Sequence, residues 1–337
     1  MVAVSSCNFL YDEHLIYFED ALAKNDRGDF VGALASWNCA LAYRETPHAR
    51  WNRGQALLSL GDYPQGFGDY AVRFKLFPDM LNPGCDAIRA HLPLWEGQCI
   101  TGKRLVLLGE QGFGDVVMLA RFVPALQALG IDVRLAVPKP LQKLLSQIAP
   151  IGTDGDFCAP FFDVLTHLAV TAATVPGKPY LRADPWLRHE WLMKLPVASA
   201  PLIGIAWKSG KPEHERDFKR TILLEQFVAW LDAKDAQLVA LQPDDRDRAR
   251  ALGVLTPEFT DFADVAAVAS VCDMVVCCDV AAINVAGAIG HPNAHVVLPY
   301  VSSWRWLHDN VWYPHVHRCQ QERPGDWASA FAQLWKT

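Results

Sequence analysis

The chain has 337 residues, 51% hydrophobic and 20% charged, with a net charge of −6. That length predicts two or three domains with well-filled cores, and the negative balance speaks against a general nucleic-acid or polyanion binder. The opening stretch MVAVSSCNFLYDEHL lacks a basic n-region and an apolar h-region, and no apolar run approaches the roughly 20 residues of a membrane span, so a cytoplasmic protein is expected. The nine cysteines are scattered without a C-x-x-C pair, which predicts reduced thiols. Cys277 and Cys278 are adjacent in an apolar run, where a strand would point them to opposite faces.

The first segment, to about Phe77, reads as helices with an internal repeat. GDFVGALASWNCALAYRETP and WNRGQALLSLGDYPQGFGDYAVRFKLFP place Gly28 and Gly61, Ala33 and Gly66, Trp37 and Tyr70 at matching positions. The spacing is about the 34-residue tetratricopeptide length, although an unrelated helical hairpin fits the same pattern. Two repeats are too few to stand alone, so they are expected to lean on the next domain. Pro78, Pro83, Gly84, Pro93 and Gly97 then punctuate a connector.

From Lys103 strands and helices alternate. KRLVLLGE reads as a strand, DVVMLARFVPALQALG as a helix, IDVRLAVP as a strand and PLQKLLSQIAP as a helix; FFDVLTHLAV reads as a strand running into a helix. After the bridge PYLRADPWLRHEWLMKLPVASAP the alternation restarts. PLIGIAW, AQLVALQ, DMVVCCDV and NAHVVLP are predicted strands; TILLEQFVAWLDA, DFADVAAVASVC and AAINVAGAIG are predicted helices. This is the grammar of mostly parallel sheets, whose ligands bind beyond the carboxyl ends of the strands.

Four loops carry the candidate chemistry. GEQGFGD, Gly109–Asp115, lies between strand and helix like a phosphate cradle, yet Glu110 and Asp115 make it acidic. It is neither a P-loop nor a dinucleotide fingerprint. Asp115 reads either as a helix N-cap or as a general base at a cleft edge, with Gln111, Gly112 and Gly114 beside it. The second loop is basic, with Lys208, Ser209, Lys211, His214, Arg216, Lys219 and Arg220 leading to a helix near Thr221. A diphosphate would fit there; a solvated basic loop is the alternative. The third, at Asp279, opens a helix with a bare surface made by Ala281, Ala282, Ala286, Gly287 and Ala288. Such a surface admits a ligand or close helix–sheet packing. The fourth gathers Trp304, Arg305, Trp306, Trp312 and Tyr313 with His308, His315 and His317. No zinc-like spacing is present, so no metal is expected; the aromatics suit stacking of a sugar or base, or packing between domains.

In this order the motifs resemble bacterial proteins that join tetratricopeptide repeats to a GT-B glycosyltransferase domain, related to heptosyltransferases and more distantly to protein O-GlcNAc transferases. The likeness covers about residues 28–335. It is carried by GDYPQGFGDYAVRF, LPLWEG, GEQGFGDVVMLARFVPAL, PYLRAD, IGIAWKSG with KRTILLEQF, VALQ, DFADVAAVASVCDMVVCCDVAAINVAGAIG, SSWRWL and WYP…GDW.

The resemblance implies an α/β GT-B fold, two facing Rossmann-like domains, preceded by a short all-α TPR-like segment. The implied division is 1–80 helical repeats, 81–102 connector, 103–195 acceptor-side domain, 196–320 nucleotide-sugar domain, and a 321–337 helix returning to the N-terminal half. It implies metal-independent, inverting transfer from a nucleotide sugar to a hydroxyl, with no cofactor, and a protein acceptor such as a flagellin-like substrate presented by the repeats. Asp115 would be the base. Lys208, Ser209, Lys219, Arg220, Gln242, Asp279, Val280, Ala281 and Asn284 would border the donor, and Glu110, Gln111, Gly112, Gly114, Trp304, Arg305 and Trp306 the acceptor side. Relatives usually read D-T-x-x-A-H-L-A-G-A at the third loop, where this chain has Val280 and Asn284 in place of threonine and histidine. LTHLAVTAATVPGKPYL is also shorter than its usual counterpart. A non-catalytic scaffold and a transferase for a lipid or small molecule are the alternatives.

Overall fold

The computed structural model describes residues 12–195, 200–210, 219–231 and 235–335. The chain forms two compact units, Met1–Pro78 and Asp79–Thr337.

The first unit contains the helices α1 Glu13–Asp26, α2 Phe30–Tyr43, α3 Pro47–Ser59 and α4 Tyr63–Tyr70. Their starts follow from capping. The side chains of Asp12, Asp29, Thr46 and Asp62 each accept a backbone N–H of the helix they open. The repeat is visible in the backbone: Gly28 and Gly61 both turn the chain with left-handed φ, 82° and 83°, just before equivalent aspartate caps. Ala33 and Trp37 are fully buried with Ala21, Ala49 and Ala56. Asp69, itself buried, accepts from Arg50 and Arg53 at 3.2 and 2.6 Å.

The second unit holds two all-parallel sheets. Strands β1 Arg104–Leu108, β2 Asp132–Ala136 and β3 Phe157–Pro160 form the first, in the order β2-β1-β3. Strands β4 Leu202–Ala206, β5 Gln237–Ala240, β6 Met274–Cys278, β7 Ala294–Leu298 and β8 Val316–Gln320 form the second, in the order β5-β4-β6-β7-β8. The apolar runs become strands because each is covered by helices and buried along nearly all its length. Strand order reverses at β1 in one sheet and between β4 and β6 in the other. Crevices form at such reversals, so topology alone brings forward the loops that follow β1, β4 and β6.

Several expectations are corrected. The predicted helix after GEQGFGD is broken into Phe113–Leu119, a 3₁₀ turn at Ala120–Phe122, and Val123–Ala128, with Pro124 in the first turn of the last piece. FFDVLTH is wholly helical, Phe161–His167, and the strand is the preceding Phe157–Pro160. In the C-terminal helix Trp327–Phe331, expected to return to the N-terminal half, Phe331 packs edge-on to Phe227 at 4.9 Å within the core of the second sheet. β8 was not anticipated. Its HRCQ sequence alternates poorly, because an edge strand buries only part of its length.

Candidate active site

The GEQGFGD loop is shaped from outside itself. Leu81 forms an antiparallel bridge with Glu110, Asn82 donates its N–H to the Gly109 carbonyl at 2.8 Å, and Gln111 donates to Met80 at 2.9 Å. The Asn82 amide donates to the Gln111 carbonyl at 3.0 Å, holding Gln111 at a left-handed φ of 61°. Gly112 is then the N-cap of the Phe113–Leu119 helix, and Asp115 sits at its third position, not at the cap. Its Oδ2 accepts the Gly112 N–H at 3.2 Å. Glu110, expected on the acceptor side, is fully buried and accepts the Phe162 N–H at 2.8 Å. It fixes the interior side of the loop instead.

The loop after β4 is held by Gln242. Its Oε1 accepts the N–H groups of Trp207 and Lys208 at 2.7 and 3.1 Å. The Lys208 ammonium lies 3.8 Å from Asp244 and 3.5 Å from Asp245. Ser209 is buried, and its N–H donates to Thr221 Oγ1 at 3.2 Å. Lys219 is exposed, whereas Lys211, His214 and Arg216 lie outside the described residues. Arg220 reaches across to the loop after β6 and donates to both Oδ2 and the carbonyl of Asp279, each at 3.0 Å. Burial pushes the Asp279 carboxyl up, but the charges of Arg220 and Arg305 help outweigh it, and its pKa lies below the ordinary carboxylate value.

Val280 and Asn284, in the loop and helix after β6, both face their own fold. Val280 is half-buried against the core of the second sheet. Asn284, on the Ala281–Ala288 helix, donates to the Val280 carbonyl at 3.0 Å. Its amide also abuts the first loop: a Cβ on Gly114 would sit 2.8 Å from Asn284 Nδ2 and 3.3 Å from the Ala281 Cα. The bare helix surface therefore receives the first loop. Phe113 adds a ring contact to Phe262 at 5.2 Å.

The fourth loop closes the site. Arg305 Nη2 donates to Asp115 Oδ1 at 2.5 Å, joining residues from the two halves. Its guanidinium lies over the Trp304 ring at 4.4 Å. Trp304 and Trp306 are buried rather than presented to a cleft, so stacking on a substrate, expected of them, gives way to packing beneath Arg305. Behind them Arg121, 2% exposed, donates to the carbonyls of Met118, Pro176 and Trp312, and lies within 5.3 Å of the rings of Tyr180, Trp312 and Tyr313. The histidines have other roles. His317 stacks on His295 at 4.8 Å, and His315 Nε2 lies 2.9 Å from the Gly287 carbonyl.

Asp115, Arg305, Asp279 and Arg220 thus form a row of alternating charge across the carboxyl ends of two parallel sheets. Comparison with solved structures gives that architecture a name. Against the glycosyl transferase family 9 structure from Veillonella parvula, the TM-score is 0.51 at 14% identity, covering 70% of this chain and 96% of that one. The chain is similar in fold to a family 9 glycosyl transferase. ADP-heptose LPS heptosyltransferase II of E. coli aligns with a TM-score of 0.49 at 12% identity, covering 69% of this chain and 98% of the other. The O-GlcNAc transferase of Thermobaculum terrenum aligns with a TM-score of 0.33 at 13% identity, over 97% and 84% of the two chains. Among curated sequences, Protein FlbA of Caulobacter vibrioides is 32% identical over 368 aligned positions, which take in 94% of this chain. The chain spans only 60% of that relative's length. No known family profile matches the chain.

Neither ring spacing nor hydropathy pointed to Asn82 or Arg121. Their partners are distant in sequence, and the only available signal was a polar residue beside a proline-rich connector and an arginine inside an apolar helix. Among the described residues, no helix is long and apolar enough to cross a membrane.

Proposed function

We propose that the chain is a glycosyltransferase that moves a sugar from a nucleotide-activated donor to a hydroxyl on a protein acceptor, with inversion and without a metal. The observation that carries this reading is the meeting of Asp115 with Arg305 of the second half, at the strand ends where α/β ligands bind. Asp115 takes the proton from the acceptor hydroxyl as its oxygen attacks the anomeric carbon. The bond to the donor phosphate breaks, and the nucleotide leaves with its charge met by Lys208, Lys219, Arg220 and the Thr221 end of the loop. Gln242 supports the reading by holding the Lys208 backbone. The helical unit, with its tetratricopeptide-like repeat, recruits the acceptor protein.

A second reading, a non-catalytic binding protein, is favoured by one observation. The side chains at positions 280 and 284 point their chemistry at their own fold: Val280 into the core, and the Asn284 amide onto the Val280 carbonyl. A thermal-shift panel of nucleotide sugars separates the two, since a ligand raises the melting temperature only by binding the folded state. The enzyme reading expects one donor to shift the transition, and Asp115→Asn to abolish transfer while keeping that shift. No shift with any nucleotide or nucleotide sugar leaves the scaffold reading. Mass spectrometry of co-expressed proteins then identifies the acceptor by its mass increment.

A further inference from the structure

Both oxygens of Asp115 are engaged. Oδ2 accepts the Gly112 N–H at 3.2 Å and Oδ1 accepts Arg305 Nη2 at 2.5 Å. The pair is sheltered, with side-chain exposures of 20% for Asp115 and 13% for Arg305. Arg305 is preorganised by other contacts. Its Nη1 donates to Ser303 Oγ at 3.2 Å, and its guanidinium packs over Trp304 at 4.4 Å and faces Phe162 at 5.9 Å. A side chain so supported keeps its place when one partner is exchanged for another.

The same pattern recurs nearby: Arg220 rests on Asp279, and Lys208 lies by Asp244 and Asp245. These cations are thus matched by carboxylates of the fold. This creates a conflict for the proposed chemistry. The hydroxyl to be deprotonated needs an Asp115 oxygen, and an incoming phosphate needs a guanidinium, yet these two groups hold each other. A diphosphate resolves the conflict by competition. It carries more negative charge than one carboxylate and meets a guanidinium through two parallel N–H bonds.

We propose that Arg305 is an exchangeable counter-ion, which pairs with Asp115 and passes to the phosphates of an arriving donor, uncovering an Asp115 oxygen for the acceptor hydroxyl. No bond is made or broken in this step; one ion pair replaces another. Donor binding then precedes productive acceptor binding. The identity of the donor rests on the glycosyltransferase reading, but the exchange itself needs only a phosphate anion.

Inorganic pyrophosphate is therefore the probe, titrated calorimetrically into the full chain. Five proteins are compared: wild type, Asp115→Asn, Arg305→Met, Arg305→Lys and the Asp115→Asn/Arg305→Met double variant, each first shown to keep a cooperative thermal transition. Arg305→Met should weaken binding by about tenfold or more, the loss of a hydrogen bond to a charged group. Arg305→Lys, which keeps the charge on a smaller side chain, should fall between it and wild type. Asp115→Asn should tighten binding by about three- to tenfold, because Arg305 no longer has to leave a carboxylate. The double variant should show no such tightening relative to Arg305→Met. Tightening that persists without Arg305 would be general relief of negative charge and would overturn the exchange. So would unchanged or weaker binding in Asp115→Asn, or a wild-type protein that binds no pyrophosphate. If the pattern holds while no nucleotide sugar is ever transferred, the exchange stands and the glycosyltransferase reading fails by itself.

Discussion

The two sheets of the second unit present opposite chemistry to one place. The three-stranded sheet sends out a glycine-rich loop that carries a carboxylate, Asp115, at its helical end. The five-stranded sheet sends out Lys208, Arg220 and Arg305. Facing surfaces of opposite charge attract one another. They find each other, and the Asp115–Arg305 pair is the outcome. The ion pair joins a loop of one sheet to a loop of the other.

The comparison can be broken most forcefully at Arg121, whose contacts bridge the first half and the Trp312–Tyr313 corner of the second. Arg121→Ala removes three carbonyl partners and leaves a cavity among aromatic rings, and should cost about 3 kcal/mol or more in urea unfolding. A loss below about 1 kcal/mol would mean that other contacts hold the halves.

Acid should act on the second half in particular. Burial, together with the neighbouring charges of His317 and His291, pushes His295 down to about 4. The unfolded imidazole takes its proton near its ordinary value of about 6.5. Above that pH neither state is protonated, and stability does not change on this account. Between the two values only the unfolded state holds the proton, so stability falls as pH falls, by about 1–3 kcal/mol in total. His291 and His315, also shifted down by burial, add to the same trend. Chemical denaturation from pH 7 to pH 4 should show the slope, and His295→Gln should flatten its own share.

The contact between the halves is tested by Gly114→Ala. The added Cβ would press on Asn284 and on the Ala281 backbone, costing about 1–3 kcal/mol by overpacking. Asn284→Ala in the same chain should return part of that, read as coupling in a double-mutant cycle. The smallest effect on stability belongs to Asp115→Asn. Its pair is partly solvated and its helix is short, so unfolding should change by about 1 kcal/mol or less while transfer is lost. A large stability loss would make Asp115 chiefly a structural residue.

The sequence carried the local rules openly. Apolar runs at Leu105–Leu108 and Met274–Cys278 are strands because nothing in them resists burial on both faces, and Ala294–Leu298 is buried along its whole length although it includes His295. Asp12, Asp29, Thr46 and Asp62 announce the helices of the first unit, since capping is satisfied within a few residues. Such interactions are written in neighbouring positions and can be read there. The loops holding candidate chemistry were legible for the same reason.

Tertiary structure decided what each group faces. Glu110 and Asp115 look alike within GEQGFGD, yet one is buried against the Phe162 N–H and the other meets an arginine. Trp304 and Arg305 are adjacent, yet the ring packs inward and the guanidinium crosses to the other half. Asp115 and Arg305 stand 190 residues apart. No local pattern relates them; the parallel run of the strands puts the loops after β1 and β7 at the carboxyl ends of their sheets, where the two residues meet.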